Sequence, residues 1–137
     1  MKLLTALLAG AIALFAITGC GGGSSGSGGG NGNNGNGVTM VGVNNSNGAF
    51  PFAFQSPVTV KSGSKVQWMN NTAASHGITW ESVVPNTSPA APATVPVFGP
   101  NTMSGTATMP VVTTQTTYNY QCTIHGASMP GQINVTP

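Results

Sequence analysis

Two histidines, His76 and His125, are the only imidazoles in the 137-residue chain, and they fall in a revealing pattern with Cys122 and Met129. Cys122-Thr-Ile-His125-Gly-Ala-Ser-Met129 reads C-x2-H-x3-M at the end of a β-type run, while His76 lies 46 positions before the cysteine. Two imidazoles, a thiolate and a thioether make a donor set suited to copper. The sulfur ligands favour Cu(I), imidazole serves both oxidation states, and a trigonal His2Cys plane with a weak axial Met is the arrangement through which copper passes single electrons. Each residue taken alone has an ordinary structural explanation: a lone Cys is usually a small buried hydrophobe and a lone Met fills gaps in a core. Taken together these explanations leave unaccounted for why the only two histidines sit on the pattern. An unpaired cysteine in an exported chain is itself a signal of metal binding or reactivity.

Export is read from the N-terminus. Met1-Lys2 is a short positive region and Leu3 to Ile17 an apolar run, shorter than the roughly 20 residues a spanning helix requires. It ends in Ile17-Thr18-Gly19-Cys20, which resembles the lipobox of bacterial lipoproteins. That resemblance implies a signal peptide over 1–19, cleavage after Gly19 and acylation of Cys20, so that Cys122 is left without a disulfide partner. From Gly21 to Gly37 only Gly, Ser and Asn occur, and residues 20–37 are expected to form a lipidated, flexible tether. The formal match of residues 30–35 to G-x-G-x-x-G lacks the preceding strand and following helix that a nucleotide site needs.

The elements that must position the four donors lie in 38–137, a length that supports one domain with a core. No helical period is evident there. Short β-branched and aromatic runs punctuated by Gly, Pro, Asn and Ser predict an all-β sandwich of about eight strands, near Val38–Val43, Pro51–Gln55, Val58–Lys61, Lys65–Asn70, Ile78–Glu81, Thr106–Met109, Thr117–Cys122 and Gly131–Val135. Ser62-Gly63-Ser64 reads as a tight turn and residues 85–100 as a long irregular connection. Alternation puts Tyr118, Tyr120 and Cys122 on one face of their strand, His76, Ile78 and Trp80 on one face of theirs, and Val66 and Trp68 inward. Past the leader the only charged side chains are Lys61, Lys65 and Glu81. That scarcity excludes a nucleic-acid partner, which would demand many Lys and Arg contacts to phosphate, and leaves little charge for steering.

The domain 38–137 resembles the cupredoxins, and within them the plastocyanin-like group. Val66-Gln-Trp68-Met-Asn70-Asn71 up to His76 looks like the strand and Asn-rich turn before that family's first His ligand. Tyr118-Asn-Tyr120-Gln-Cys122-Thr-Ile-His125 and Met129-Pro-Gly131-Gln-Ile-Asn-Val135 look like its ligand loop and last strand, with Tyr118 where a sandwich-closing tyrosine often stands. The resemblance implies a Greek-key β-sandwich, one Cu(I)/Cu(II) ion per chain on His76, Cys122, His125 and Met129, and a monomeric one-electron carrier rather than an enzyme. It would be tethered by Cys20 outside the cytoplasm, on the periplasmic side or the cell surface. Redox partners would dock near His125, within a rim of Gly126, Ala127, Pro130, Met103 and Pro100. Two departures stand out: the His125–Met129 spacing falls between those of plastocyanins and amicyanins, and Gly77 occupies a position where plastocyanins commonly carry Asn. A copper chaperone or storage protein using the same ligands is the alternative. An enzyme would need a second metal centre, for which no further histidine exists. A metal-free adhesion module would require an inert Cys122.

Overall fold

A computed structural model describes residues 32–34 and 37–137 of the chain. The expected signal peptide 1–19, Cys20 and most of the expected tether lie outside the described residues. Ten strands run in the order β1 (Gly32–Asn34), β2 (Val38–Asn45), β3 (Phe52–Phe54), β4 (Val58–Lys61), β5 (Lys65–Asn70), β6 (His76–Val84), β7 (Val95–Phe98), β8 (Ala107–Thr108), β9 (Thr116–Cys122) and β10 (Gly126–Thr136). They form two five-stranded sheets. One has the order β1-β2-β5-β8 with β3 also on β2, and the other β4-β10-β9-β6-β7. The pairs β2–β5 and β4–β10 are parallel and the rest antiparallel. The chain crosses repeatedly between sheets, and side chains of both inner faces form one core, as in a β-sandwich.

Alternation builds that core. Thr116, Tyr118, Tyr120 and Cys122 of β9 are buried while the residues between them are half-exposed, and β5 turns Val66, Trp68 and Asn70 inward. Trp68, Tyr120 and Trp80 stack edge-to-face at centroid distances of 5.5–6.2 Å, and Phe54 closes on Tyr120 at 4.9 Å. Such pairs contribute about 0.5–1.5 kcal/mol each beyond the area they bury. Trp68 Nε1–H donates to Tyr120 Oη (3.3 Å), so the buried indole donor is satisfied within the core. At the far end of the sandwich, Ser64 N–H donates to Lys61 O (3.1 Å) across the expected turn, with Gly63 at φ 71°.

The ten strands among the described residues include all eight expected ones, with β1 and β7 in addition. One expectation needs correction. The segment read as an irregular connection contains β7, which pairs with β6 at His76↔Phe98 and Ile78↔Val95. Pro96 is tolerated there because β7 is an edge strand, and a register shift between its two pairs removes the alternation that would have revealed it. Gly32–Asn34, within the residues expected as tether, lies antiparallel along β2.

Candidate metal centre

Cys122 ends β9, inward-facing and with no exposed surface. The chain then turns through Thr123 to His125, with Thr123 N–H donating to Gly77 O (3.0 Å). Gly126 takes a positive φ of 56° and pairs back onto Cys122. Only a glycine adopts that left-handed conformation without cost, and the reversal it allows folds His125 over the cysteine. His125 Nδ1 stands 3.3 Å from Cys122 Sγ.

His76 arrives from the other direction, at the start of β6, and is fully buried. Its Nδ1 lies 3.6 Å from Cys122 Sγ, and the ligand atoms of His76, Cys122 and His125 all fall within 4.8 Å of one another. First-row metal bonds of roughly 2.0 Å to imidazole and 2.3 Å to thiolate, meeting at 120°, would set N and S about 3.7 Å apart. The observed separations are close to that figure, so one ion fits between the three donors. Burial lowers the His76 pKa below 6.5, and the neighbouring His125 lowers it further. Both effects favour the neutral imidazole, the form that ligates a metal.

Met129 lies in the irregular stretch where β10 breaks register between Gly126, opposite Cys122, and Pro130, opposite Gln121. It is buried at 1% exposure while Ala127, Ser128 and Pro130 are exposed, so the bulge turns this one side chain into the core beside the cysteine's strand end.

Around the donors stand residues that the sequence reading had not assigned to the site. Phe50 packs on His125 (5.3 Å between ring centroids), and Phe52 on both His76 (5.3 Å) and His125 (5.5 Å). The alternation Phe50-Pro-Phe52-Ala-Phe54 was the available signal, but nothing local tells which surface such a stripe will cover. Gly77 is buried, and a Cβ there would come within 3.1 Å of Thr123 Oγ1 and 3.3 Å of Val97 Cγ2. A larger residue at this position would press on Thr123 of the ligand turn, which would have to give by a few tenths of an ångström.

The chain has counterparts among known proteins. Residues 39–136 match the model of the copper-binding proteins of the plastocyanin/azurin family. The chain belongs to that family. Solved structures similar to this cupredoxin include an oxidised amicyanin with a proline-to-glycine substitution (25% identity, TM-score 0.51) and an oxidised amicyanin with a methionine-to-leucine substitution (22%, TM-score 0.51). Each alignment covers 70% of this chain and 79% of the amicyanin. No curated protein sequence matches the chain. Family membership and the His76–Cys122–His125 cluster together assign a single copper ion as the cofactor of a blue copper protein.

Proposed function

We propose that this cupredoxin is a one-electron carrier rather than an enzyme, with Met129 as the weak axial ligand of its copper. The observation that carries the reading is the unequal burial of the donors. His76 and Cys122 have no exposed surface, whereas His125 is only half-buried. Bound copper supplies a site that alternates between Cu(I) and Cu(II). The protein's contribution is to hold the donors still. Cys122 and His76 are fixed by the β6–β9 ladder, His125 by the Gly126 reversal, and Phe50 and Phe52 keep water from the imidazole faces. Little rearrangement then accompanies a change of oxidation state.

His125 is the proposed port for the electron. Ala127, Pro130, Met103 and Pro100 are exposed and uncharged, and they would form an apolar docking rim with Gly126 for redox protein partners. The domain 38–137 would act as a monomer outside the cytoplasm, held to a bacterial membrane by acylated Cys20 through the tether 20–37 after removal of 1–19. Among the described residues no helix is long and apolar enough to cross a membrane.

The test is the electron self-exchange rate of the copper-loaded protein, read by NMR line broadening in mixtures of oxidised and reduced forms. A carrier gives rapid exchange and keeps its metal in both states. Slow exchange with copper lost to a chelator on reduction would favour a chaperone or store. Replacement of Cys20 by Ser should release the protein from membranes; retention would overturn the lipid anchor.

A further inference from the structure

We infer that Thr72 is a positioning residue for His76, selecting the imidazole tautomer that presents Nδ1 to the metal. The inference rests on the copper-site reading but is drawn from a hydrogen-bond network on the side of His76 remote from Cys122. Thr72 is buried at 2% exposure, and its Oγ1 lies 2.9 Å from His76 Nε2. Which atom donates is decided by accounting for protons further along.

Asn70, fully buried on β5, places Nδ2 2.7 Å from Ala74 O and 2.8 Å from Gly99 O. Both are carbonyls and can only accept, so the amide orientation is fixed and Oδ1 must be the atom facing Thr72. That Oδ1 accepts from Thr72 N–H (3.0 Å) and is the nearest acceptor to Thr72 Oγ1 (2.8 Å). The hydroxyl proton is thereby used. Thr72 Oγ1 has two lone pairs left. Ala74 N–H occupies one (3.2 Å), and the other is available only to an N–H on His76 Nε2. A fourth contact, to Ala74 O at 3.3 Å, is longer and competes for the same single proton.

With this assignment every group in the chain Gly99 O–Asn70–Thr72–His76 is satisfied, and no buried side-chain nitrogen or oxygen among the described residues lacks a partner. His76 carries its proton on Nε2, leaving the Nδ1 lone pair directed at the pocket shared with Cys122 Sγ. The same network ties the turn before His76 to the loop after β7, so ring tautomer and ring orientation are set together. Outer partners of this kind fix ligand histidines, and their loss costs about 10–100-fold in metal affinity.

The tautomer can be read without copper, which separates this inference from the assignment of the metal. Long-range ¹H–¹⁵N correlation on the full chain in detergent, metal-free and above pH 7, should find His76 protonated at Nε2. A metal-free His76 protonated at Nδ1 overturns the inference whatever the protein binds. Thr72→Val, which keeps the shape and removes the hydroxyl, should yield mixed tautomers and about 10–100-fold weaker copper binding, and Thr72→Ser should restore both. A Val variant with the native tautomer and native affinity would also overturn it.

Discussion

Replacing Gly131 by Ala should destabilise the protein far more than the addition of one methyl group suggests. Gly131 sits on β10 directly opposite Tyr120 of β9, and a Cβ built on its backbone clashes with the Tyr120 ring at Cζ, Cε2 and the hydroxyl oxygen. The ring has nowhere to go. Trp68, Trp80 and Phe54 pack against it at 4.9–5.7 Å, and its hydroxyl accepts the Trp68 indole proton. Forced overpacking of a core costs about 1–3 kcal/mol. Displacing the ring also strands a buried Trp68 donor, at about 1–3 kcal/mol more. The expected loss is therefore about 2–6 kcal/mol, a large part of the 5–15 kcal/mol by which a domain is typically stable. Urea unfolding of the metal-free protein measures it. Because Tyr120 lies two residues before Cys122, copper affinity should fall as well. Combining Gly131→Ala with Tyr120→Leu should lose less than the two single changes added together, since the clash goes with the ring. A Gly131→Ala protein within about 0.5 kcal/mol of the parent, or strict additivity in the double variant, would refute the packing argument.

Two further outcomes follow from the site. In the metal-free chain the lowered pKa of His76 means that the unfolded state takes up a proton near pH 6.5 before the folded state does. Stability is therefore full above that pH and falls as the pH drops through 6.5 towards the lower folded value. Glu81 is the only acidic side chain, so carboxylate protonation contributes little to this acid slope, and denaturant midpoints that do not change from pH 8 to pH 4 would contradict it. Substituting Leu for Met129 should leave the thiolate-to-copper band in place and raise the reduction potential, which the axial ligand tunes: Cu(I) is well served by the three remaining donors, whereas Cu(II) prefers a fourth and loses more by its removal, soft though that donor is. The rise is about 59 mV for each tenfold change in relative affinity, and an unchanged potential would remove Met129 from the ligand set.

The candidate donor pattern and the strand bearing Cys122 were legible in the sequence because each depends on local order. C-x2-H-x3-M is contiguous, and the β9 alternation of Tyr118, Tyr120 and Cys122 reports its buried face directly. His76 was legible as a candidate donor only because no other histidine competes with His125 for a partner. What stayed hidden depends on long-range closure. Phe52 is 24 positions before His76 and 73 before His125, and its contacts with both exist only once β3 has docked. Thr72 and Asn70 read locally as a polar turn; only the fold brings Gly99 O to the amide and His76 Nε2 to the hydroxyl. Edge strand β7 was obscured by its proline and its register shift, although it supports His76 through Phe98.

The central claim, a thiolate-ligated copper centre on Cys122, is tested most directly by adding Cu(II) to the metal-free protein and recording its visible spectrum beside that of Cys122→Ser. The account predicts an intense thiolate-to-copper charge-transfer band at one copper per chain, absent from the serine variant. No band in the parent protein, or an equal band in both, would contradict it.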